Sequence, residues 1–315
     1  MSSTSSTGAG SPVFVVNLGA GRFRRDPGLF PRLREVAGGR ATVRATGSAA
    51  ELAALAEHAV ENRGLVVACG GDGTYLATLS ALVTAARGRP LPPLAFAHGG
   101  TVSIVAKNFG APGDLLALAK RVVDEPHRLR LVPRPTLSID DGETVRTGFT
   151  FGTGLVSNFF DVYERGGARG NGQAATIALR TLFGSITGGE LARRILSPLR
   201  CTLEVDGARL APEAWSLVVV SVLADVGLGF RVNHRAGEDP GRPHVVASPL
   251  GARALGPQAF RVLRGKPLAG AGNFDGLVSE LRVTFPAEGA YVLDGDTFRA
   301  RAVTVRAGPT IFVAC

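Results

Sequence analysis

The segment GGDGT, residues 70–74, combines residue types that are suited to binding a phosphate group. Its glycines permit positive φ angles, and they let backbone N–H groups approach an anion without a Cβ atom in the way. The acid in this loop, Asp72, is unfavourable there unless it orients the loop, contacts a metal or bonds a ribose or hydroxyl group. The segment is neither a G-x-x-x-x-G-K-[ST] loop nor a G-x-G-x-x-G fingerprint. The spacing therefore predicts an anion site, with a plain tight turn as the alternative.

Other residue patterns that could support catalysis are weak. The motifs G-x-S-x-G and H-E-x-x-H are absent, which disfavours a serine hydrolase or a zinc protease. His127, His234 and His244 have no metal-ligand spacing in the sequence. His98 precedes two glycines and could approach a substrate, although a histidine in the core or at its rim is the favoured interpretation.

The cysteines and the N-terminal segment bear on the compartment of the protein. Cys69, Cys201 and Cys315 are odd in number and far apart, so neither a disulfide framework nor a zinc site is expected. We expect them to be reduced, small core residues.

Residues 1–12 lack the basic and apolar regions of a secretory signal, and their small polar side chains cannot bury enough surface to become ordered. They predict a disordered tail on a cytoplasmic protein.

The net charge is +9, and almost all of the positive charge comes from arginine. This balance favours contact with phosphate groups on nucleotides, nucleic acid or an anionic membrane surface. A solvated surface that reflects an arginine-rich coding bias is the alternative. The aromatic residues are mainly Phe without a basic-aromatic stripe, which disfavours binding of single-stranded nucleic acid. No apolar run reaches the roughly 18 residues of a membrane-spanning helix, so no such helix is expected.

Strands and helices alternate in the first part of the sequence. Strands are predicted at residues 13–17, 41–45, 64–69 and 94–98, where short runs are apolar or β-branched. A helix is predicted from Ser48 to Asn62, because apolar residues recur every three or four positions behind a serine cap. This alternation indicates a parallel sheet with helices on both faces. We therefore expect a three-layer α/β domain over residues 13–131, with GGDGT directly after its third strand.

The second part of the sequence is mostly β-like. Strands are predicted at residues 143–157, 200–206, 215–223, 277–285, 289–294 and 301–314. The dipeptides Asp206-Gly207 and Asp294-Gly295 indicate turns, and helical insertions are predicted near residues 172–186 and 249–264. These features predict an antiparallel β-sandwich domain over residues 132–315. Its last strand could return toward the first domain.

A strand followed by GGDGT resembles the superfamily of diacylglycerol, sphingosine and ceramide kinases, bacterial YegS-type lipid kinases, NAD kinases and phosphofructokinases. Residues 17–22, NLGAGR, are similar to the N-P-x-S-G-K/R turn of the lipid kinases, with Leu18 in place of proline. Residues 99–112, GGTVSIVAKNFGAP, resemble their G-T-x-N-x-x-A-R-x-L-G-I-P segment, with Ser103 in place of asparagine. The GGDGT and 99–112 segments are the two that are specific by themselves.

Two later segments extend the resemblance to about residue 300. Residues 294–296, DGD, resemble the D-G-E of the lipid kinases, and residues 236–241, AGEDPG, resemble their A-x-x-D-D-G. The resemblance implies the NAD kinase and phosphofructokinase-like fold, in which an α/β nucleotide-binding domain precedes a β-sandwich domain that binds the lipid.

The resemblance also implies an ATP site. Its residues in this sequence are Asn17, Thr46, Gly70, Gly71, Asp72, Gly73, Thr74, Gly100 and Thr101. Thr101 would open a helix whose first N–H groups can face phosphate oxygens. Thr46 and Thr101 could equally be ordinary helix caps.

Catalytic and metal-binding roles follow from the same resemblance. Phosphoryl transfer needs in-line positioning, charge neutralisation by Mg²⁺ and a group that accepts the proton of the attacking hydroxyl. Asp296 stands where the family has its proton-accepting glutamate, one methylene shorter, and Asp72 would order the nucleotide site. A simple hairpin turn is the favoured interpretation of residues 294–296 on sequence alone. Asp239 matches the aspartate of a secondary Mg²⁺ site, where Pro240 replaces a second aspartate; a solvated acidic loop is the alternative.

Two departures affect the choice between lipid kinases and NAD kinases. Leu76 and Ala77 replace the asparagine and glutamate that usually follow GGDGT in lipid kinases, and the leucine is closer to NAD kinases. The 99–112 segment and the absence of a later N-E pair favour the lipid kinases. The prediction is an ATP- and Mg²⁺-dependent kinase that phosphorylates a diacylglycerol-like or sphingoid-like lipid. The alternatives are an NAD kinase or other soluble-substrate kinase, and a non-catalytic lipid- or nucleotide-binding relative.

The predicted partners are a lipid substrate, whose acyl chains the β-rich domain would hold, and an anionic membrane surface that the protein reaches without an anchor. No nucleic-acid partner is expected. The predicted location is the cytoplasm, with peripheral association to membranes. The oligomeric state is open, with a homodimer among the alternatives.

Overall fold

The computed structural model describes residues 10–98, 104–110, 113–165 and 171–315. Within these ranges the chain forms two compact units. The first unit runs to Arg134 and includes Ile311–Cys315, and the second unit is Pro135–Thr310. Residues 1–9 of the predicted tail lie outside the described residues. None of the helices in the described ranges is long and apolar enough to cross a membrane.

The first unit alternates strands with helices. Its elements up to Arg134 are β1 (Val13–Val16), α1 (Gly21–Arg25), α2 (Leu29–Ala37), β2 (Thr42–Ala45), α3 (Ala49–Asn62), β3 (Val66–Gly70), α4 (Asp72–Ala86), β4 (Leu94–His98), α5 (Ile104–Asn108), α6 (Leu115–Asp124), a 3₁₀ turn (Pro126–Arg128) and β5 (Leu131–Arg134). The strands predicted between residues 13 and 98 are confirmed as β1 to β4. Ser48 caps α3, as predicted, by accepting a hydrogen bond from the N–H of Glu51 at 3.2 Å.

The second unit is richer in strands and has its helices in two groups. Its elements are β6 (Leu137–Asp140), β7 (Val145–Gly148), β8 (Thr150–Gly154), α7 (Leu155–Arg165), α8 (Asn171–Thr187), α9 (Glu190–Ile195), β9 (Leu199–Arg200), β10 (Thr202–Val205), β11 (Ala208–Arg209), β12 (Ala214–Trp215), β13 (Leu217–Ser221), β14 (His244–Ser248), α10 (Ala252–Leu255), a 3₁₀ turn (Gly256–Gln258), α11 (Ala259–Leu263), β15 (Phe274–Leu277), β16 (Glu280–Leu293) and β17 (Asp296–Ala307). The final strand, β18 (Ile311–Ala314), belongs to the first unit. The helices predicted near residues 172–186 and 249–264 are confirmed as α8 and as α10 with α11.

The sheet of the first unit has the strand order β2-β1-β3-β4-β18-β5. β1 to β4 run parallel to one another, whereas β18 is parallel to β4 and antiparallel to β5. Every residue of β1 and β3 is buried, as expected for central strands that are covered on both faces. After β1 the chain adds β2 on one side and β3 on the other. The order therefore reverses between β1 and β3, which is where open α/β sheets bind ligands.

Helices cover both faces of this sheet. On one face, α1, α2 and α6 pack on a cluster of buried residues that includes Phe14, Val67 and Ala95. On the other face, Tyr75 of α4 packs against Phe96 of β4, with ring centroids 4.9 Å apart. Ala95 and Phe96 are consecutive in β4 and so point to opposite faces. The predicted three-layer α/β arrangement is confirmed.

An antiparallel sheet forms the second unit, along the strand path β15-β14-β13-β8-β16-β17-β6-β7. β10 pairs with β16, β11 pairs with β10, and β9 and β12 form a separate short pair. The register of the β16–β17 hairpin shifts between Thr284 and Gly289, and such a bulge lets a long strand bend. The predicted antiparallel β-rich region is confirmed. Apart from the β9–β12 pair, the strands that were expected to form a sandwich belong to one continuous sheet.

The strand predicted over residues 143–157 ends earlier than expected. β8 ends at Gly154, and α7 begins at the next residue. Gly154 has a φ of +69°, and a Cβ at this position would lie 2.7 Å from the carbonyl oxygen of Ser216. Glycine is the residue that fits such a left-handed conformation at close contact. This turn directs the chain out of the sheet and into α7. The apolar residues after Gly154 did not predict this helix.

Candidate functional site

The carboxyl ends of four neighbouring strands lie side by side at one edge of the first unit's sheet. The last residue of β1 pairs with the last residue of β2 and with Cys69 of β3. The next residue of β3, Gly70, pairs with His98 at the end of β4. The last residues of β1 and β2 and Cys69 form one row of paired residues across the sheet. The residues that follow this row are Asn17, Thr46 and Gly70. The structure brings these three predicted residues together at the point where the strand order reverses.

Asn17 connects β1 to the GGDGT turn. Its side-chain Nδ2 donates a hydrogen bond to Oγ1 of Thr74 at 3.0 Å, and its Oδ1 accepts one from the N–H of Gly19 at 2.9 Å. The main-chain N–H of Asn17 donates to the carbonyl oxygen of Cys69 at 3.1 Å. Both ends of the side-chain amide are thus engaged. This arrangement fixes the distance between β1 and the first turn of α4.

The turn between β3 and α4 is shaped by its glycines. Gly71 precedes α4 in an extended conformation, and its carbonyl oxygen accepts hydrogen bonds from the N–H groups of Thr74 and Tyr75. A Cβ on Gly70 would lie 2.2 Å from Thr74 Oγ1, so packing requires glycine there. A Cβ on Gly73 would meet no atom of the described residues within 4 Å. Gly73 therefore leaves space beside the start of α4, where the N–H groups that precede Thr74 have no carbonyl of an earlier turn to bond.

Both carboxylate oxygens of Asp72 accept main-chain hydrogen bonds. Oδ2 accepts from the N–H of Ile104 at 3.0 Å, and Oδ1 accepts from the N–H of Val105 at 3.1 Å. Burial raises the pKa of Asp72, while these two bonds and the neighbouring Lys107 and His98 counteract the effect in part. The carboxylate therefore holds the beginning of α5 against the beginning of α4. This is the orienting role considered for an acid in such a loop.

Thr46 does not cap the helix that follows it. Ser48 occupies the cap position of α3, and the N–H of Thr46 donates to the carbonyl oxygen of Val16 at 3.0 Å. The helix-cap interpretation is therefore wrong for Thr46, which continues the pairing of β2 with β1 at the crevice. Gly100 and Thr101, the other predicted ATP-site residues, lie outside the described residues.

Arg22, on α1, is a basic residue at this edge that the predicted site lacked. Its Nη1 donates to the carbonyl oxygens of His98 at 3.3 Å and Gly113 at 3.2 Å. Its Nη2 lies 3.8 Å from a carboxylate oxygen of Asp114. Arg22 therefore ties the end of β4 to the segment before α6 and brings positive charge to the edge. The basic position of the N-P-x-S-G-K/R turn was the sequence signal that could have identified it.

In the second unit, Asp294 and Gly295 form the two-residue turn of the β16–β17 hairpin. Their φ angles of +49° and +101° fit a turn with two left-handed central residues, as an Asp-Gly pair favours. The Asp294 carboxylate accepts hydrogen bonds from the N–H groups of Phe149 at 2.9 Å and Thr150 at 2.8 Å. The hairpin interpretation of residues 294–296 is confirmed. The turn is also locked onto the start of β8.

Asp296 begins β17 directly after this turn. Although the residue as a whole is exposed, partial burial of its carboxyl group and the negative charge of Glu164 raise its pKa. Glu164 lies on α7, and its Oε1 accepts a hydrogen bond from Oγ1 of Thr297 at 3.5 Å. A carboxylate with a raised pKa is a stronger base. The hairpin therefore presents an accessible carboxylate of increased basicity, which is compatible with the predicted catalytic role.

Asp239 lies in a tight turn with Pro240. Its Oδ1 accepts a hydrogen bond from the N–H of Gly241 at 2.9 Å, the pattern of an Asx turn. Among the described residues, Asp239 belongs to no group of three potential His, Cys, Asp or Glu ligands. Mg²⁺ requires a near-octahedral set of oxygen ligands. Asp239 thus supplies a single carboxylate, of which Oδ1 is engaged by its own turn, and the implied secondary Mg²⁺ site stays a prediction.

The two positions that depart from the lipid-kinase pattern lie on α4. Leu76 is buried in the core, and Ala77 is exposed. The first two turns of α4 therefore lack the amide and the carboxylate that the family pattern has there. Among the described residues, the groups that a ligand can still meet are the main chain of the turn, the hydroxyl of Thr74, the side chains at the ends of β1 and β2, and Arg22.

The architecture of the chain is shared with kinases of known structure. A diacylglycerol kinase from Bacillus anthracis str. Sterne has a TM-score of 0.64 at 14% identity, over 96% of each chain. A candidate diacylglycerol kinase from the same organism has a TM-score of 0.69 at 16% identity, over 98% of each chain. Yeast NADH kinase complexed with NADH has a TM-score of 0.51 at 14% identity, over 98% of this chain and 84% of the other. These likenesses define the fold class, an α/β unit with a parallel sheet followed by an antiparallel β-rich unit.

The first unit matches the model of a known protein family. Residues 12–131 match the family model of the diacylglycerol kinase catalytic domain. This range contains the GGDGT turn, Asn17 and Thr46. Over this range the chain is similar to the diacylglycerol kinase catalytic domain, and the resemblance of its motifs to that family is confirmed. No protein of curated function matches the sequence significantly.

Proposed function

We propose that this protein is an ATP-dependent lipid kinase that transfers the terminal phosphoryl group of ATP to a hydroxyl group of a diacylglycerol-like or sphingoid-like lipid. The observation that carries the proposal is the position of the GGDGT turn at the reversal of strand order, where Asn17 bonds Thr74. The family match over residues 12–131 supports it.

The N–H groups at the beginning of α4 would bind the phosphate oxygens of ATP. A helix N-terminus favours negative charge, and Gly73 leaves space for a phosphate to approach it. The carboxylate of Asp72 would otherwise repel the phosphates, but its oxygens are engaged by main-chain N–H groups of α5. Arg22 adds positive charge at the same edge. Mg²⁺ would arrive with ATP, because kinase sites bind it largely through phosphates and waters.

Asp296 would accept the proton of the attacking lipid hydroxyl. As the hydroxyl oxygen forms its bond to the terminal phosphorus, its proton moves to the Asp296 carboxylate and ADP departs with the electrons of the broken P–O bond. The raised pKa of Asp296 favours this transfer. Glu164 would contribute indirectly, since its negative charge increases the basicity of Asp296.

Exposed apolar side chains on α8 support a lipid acceptor and a membrane surface as partners. Leu179 is 55% exposed and Phe183 is 61% exposed, and they lie four residues apart on one helix face. Two arginines lie close to Gly188, the residue after α8. The Nη2 atoms of Arg193 and Arg253 are 3.7 and 3.8 Å from the position that a Cβ on Gly188 would take. An exposed apolar pair on a helix, with arginines near the end of that helix, favours the surface of a membrane that contains anionic lipids. This face would dock the protein peripherally.

Vesicle flotation tests the docking face. The full chain should float with vesicles that contain phosphatidylserine and much less with phosphatidylcholine alone. Phe183→Ser should weaken the flotation severalfold, because it removes an inserting aromatic ring. Val145→Ser is the matched control, since Val145 is 65% exposed on a strand away from α8. Equal flotation of the two variants would reject α8 as the docking face.

Leu76 and Ala77 favour a second candidate, a relative that binds the nucleotide or lipid without catalysis. An asparagine and a glutamate are missing where the lipid kinases have them, so polar contacts to the nucleotide are fewer. The remaining contacts could bind ATP without aligning its terminal phosphate. This candidate and the kinase make different predictions about turnover.

The decisive experiment incubates the full chain with labelled ATP, Mg²⁺ and a panel of lipids, and separates the products by thin-layer chromatography. Label should appear on a lipid. Asp296→Asn should lower kcat at least about a hundredfold, as loss of a general base does, while calorimetry shows unchanged ATP affinity. Transfer to NAD but to no lipid would support a soluble-substrate kinase. ATP binding without transfer would support the non-catalytic relative, and absence of ATP binding would reject both.

Gly73→Ala tests the nucleotide site separately. Alanine adds about 1 kcal/mol of helix propensity at most, so the variant should be as stable as the wild type or more stable. Its new methyl group would occupy the space beside the N–H groups of α4, and ATP affinity should fall at least tenfold. Gly251→Ala is the matched control, because Gly251 precedes a helix and a Cβ there also meets no atom of the described residues within 4 Å. It should leave ATP affinity unchanged.

A further inference from the structure

His234, His244 and Asp275 form the one group of three potential metal-binding side chains found in the described residues. One ligand atom from each lies within 4.8 Å of the others. Nε2 of His244 is 2.8 Å from Oδ1 of Asp275, and Nδ1 of His234 is 4.0 Å from Oδ2 of the same carboxylate. The two imidazole rings are nearly perpendicular, with centroids 5.0 Å apart. Two nitrogen donors and one oxygen donor therefore converge on a small volume.

The fold of the second unit assembles this group from three segments. Asp275 of β15 pairs with Val246 of β14, two residues beyond His244, so His244 and Asp275 are diagonal neighbours on one face of the strand pair. Asn233 ties the preceding segment to β14, because its Nδ2 donates to the carbonyl oxygen of His244 at 2.7 Å. His234 follows Asn233 directly. The arrangement is thus fixed by strand pairing and one buried hydrogen bond.

The geometry suits a transition metal. Donor atoms at about 2.0–2.1 Å from a tetrahedral Zn²⁺ lie about 3.3 Å apart. The separations of 2.8 Å from His244 to Oδ1 and 4.0 Å from His234 to Oδ2 of Asp275 lie on either side of that value. The side chain of His244 is fully buried, whereas those of His234 and Asp275 are 21% and 26% exposed. An ion can therefore reach the group from solvent and keep a water as its fourth ligand.

Polar atoms around the group fit metal ligation. Nδ1 of His244 and Oδ1 of Asn233 are buried and have no hydrogen-bond partner among the described residues. With a metal on Nε2, Nδ1 of His244 carries the proton and becomes a donor, and Asn233 offers an acceptor on the adjoining segment.

We propose that His234, His244 and Asp275 bind a transition-metal ion of the Zn²⁺ type. The site would clamp the long segment between β13 and β14 onto the β14–β15 pair. Imidazole nitrogens favour Zn²⁺ and its neighbours over Mg²⁺, so this site differs in chemistry from the Mg²⁺ role considered for Asp239. It lies in the second unit and does not depend on the proposed kinase activity.

Calorimetry on the full chain, stripped with a chelator and dialysed, tests the proposal with ZnCl₂ and separately with MgCl₂. We expect one Zn²⁺ per chain and no competition by Mg²⁺. His234→Ala and Asp275→Asn should each weaken Zn²⁺ binding at least about a hundredfold, because loss of even an outer-shell partner costs about 10–100-fold. Co²⁺ gives a second readout: the visible absorption bands of a four-coordinate Co²⁺ should appear in the wild type and vanish in both variants.

His127→Ala is the matched control, because His127 is exposed and lies outside the group. It should bind Zn²⁺ as the wild type does. His244 is left unchanged because it is buried and its replacement could prevent folding. Zn²⁺ should raise the unfolding midpoint of the wild type and of His127→Ala but not of the two ligand variants. The proposal would be overturned if the wild type bound no stoichiometric Zn²⁺, or if His234→Ala bound Zn²⁺ as tightly as the wild type. The group would then be explained by the hydrogen bond between His244 and Asp275 alone.

Discussion

The two oxygens of the Asp72 carboxylate accept hydrogen bonds from the N–H groups of Ile104 and Val105. In Asp72→Asn, one of these oxygens becomes an amide nitrogen, which cannot accept a hydrogen bond. The free energy of unfolding should fall by about 1.5–3 kcal/mol, the range for a hydrogen bond to a charged group. Hydrogen exchange of the Ile104 and Val105 amides should accelerate. ATP affinity should fall as well, because α5 is no longer held beside the GGDGT turn.

Ser48→Ala provides the control for Asp72→Asn. It also removes a side-chain acceptor at the beginning of a helix, α3, at a cost of about 0.5–2 kcal/mol. Its ATP affinity and its exchange at residues 104 and 105 should equal those of the wild type. If exchange at these residues is unchanged in Asp72→Asn, the orienting role of Asp72 is wrong.

The raised pKa of Asp296 gives the proposed kinase a specific pH dependence. Because only the deprotonated carboxylate accepts a proton, kcat should rise with pH through the pKa of Asp296. Glu164→Gln removes a negative charge that helps to raise this pKa. The pKa should therefore fall, and the acid limb of the kcat profile should move to lower pH.

Asp161→Asn is the matched control, since Asp161 is another acid on α7 but pairs with Arg165 and Arg194. It should leave the acid limb in place. Superimposable profiles of the wild type and Glu164→Gln would show that Asp296 is not the group that titrates.

Residue roles could be predicted where they depend on neighbours in the sequence. Asn17 and the GGDGT residues follow strands directly, so their meeting at one sheet edge follows from parallel pairing. Glu164 could not be connected with Asp296, because the two lie in distant segments that meet through the packing of α7. The metal-ligand group was missed for the same reason: His234 and His244 share a partner on a strand that comes later, so their own spacing carries no signal.

Two hairpins of the second unit turn through the same Asp-Gly dipeptide and allow a comparison between elements. Asp206 and Asp294 both have a φ of +49°, and the carboxylate of each accepts two main-chain hydrogen bonds. Asp294 bonds the N–H of the fully buried Phe149, whereas Asp206 bonds the exposed N–H groups of Ser279 and Glu280. Asp294→Ala should cost about 3 kcal/mol in free energy of unfolding, the upper end of the range for a buried N–H that loses its partner.

Asp206→Ala should cost about 1 kcal/mol, since water can replace the lost acceptor. Urea unfolding of both variants measures the difference. Similar costs for the two would show that the Asp294 turn is not anchored by its contact with β8.

The elements that could be predicted are those with a regular pattern. β1 to β4 and α3 repeat with the spacing of a covered parallel sheet, and caps such as Ser48 mark their ends. β14 was missed because it is a central strand with every residue buried, so it lacks alternation and reads as a short apolar run between prolines. α7 was missed because the turn at Gly154 depends on the approach of Ser216, which is remote in sequence.

At the scale of the whole molecule, the first unit depends on both ends of the chain. The chain leaves this unit after Arg134 and supplies its last strand from Ile311. The order of an α/β region before a β-rich region could be predicted from the change of pattern near Pro126. The pairing of β18 with β4 and β5 could only be suggested, because no local pattern tells a strand which sheet it joins.

The stability of the first unit should therefore depend on the residues of β18, with buried and exposed side chains alternating along the strand. Ile311 and Val313 are fully buried, while Phe312, between them, is 48% exposed. Ile311→Ala should lower the free energy of unfolding of this unit by about 2–5 kcal/mol, the range for a buried isoleucine that leaves a cavity. Phe312→Ala removes more atoms but should cost less than about 1 kcal/mol, because its side chain is largely in water already. Urea unfolding monitored by hydrogen exchange in β3 and β4 gives both values. A larger loss for Phe312→Ala than for Ile311→Ala would place β18 with its other face toward the core, and the six-strand order of the sheet would then be wrong.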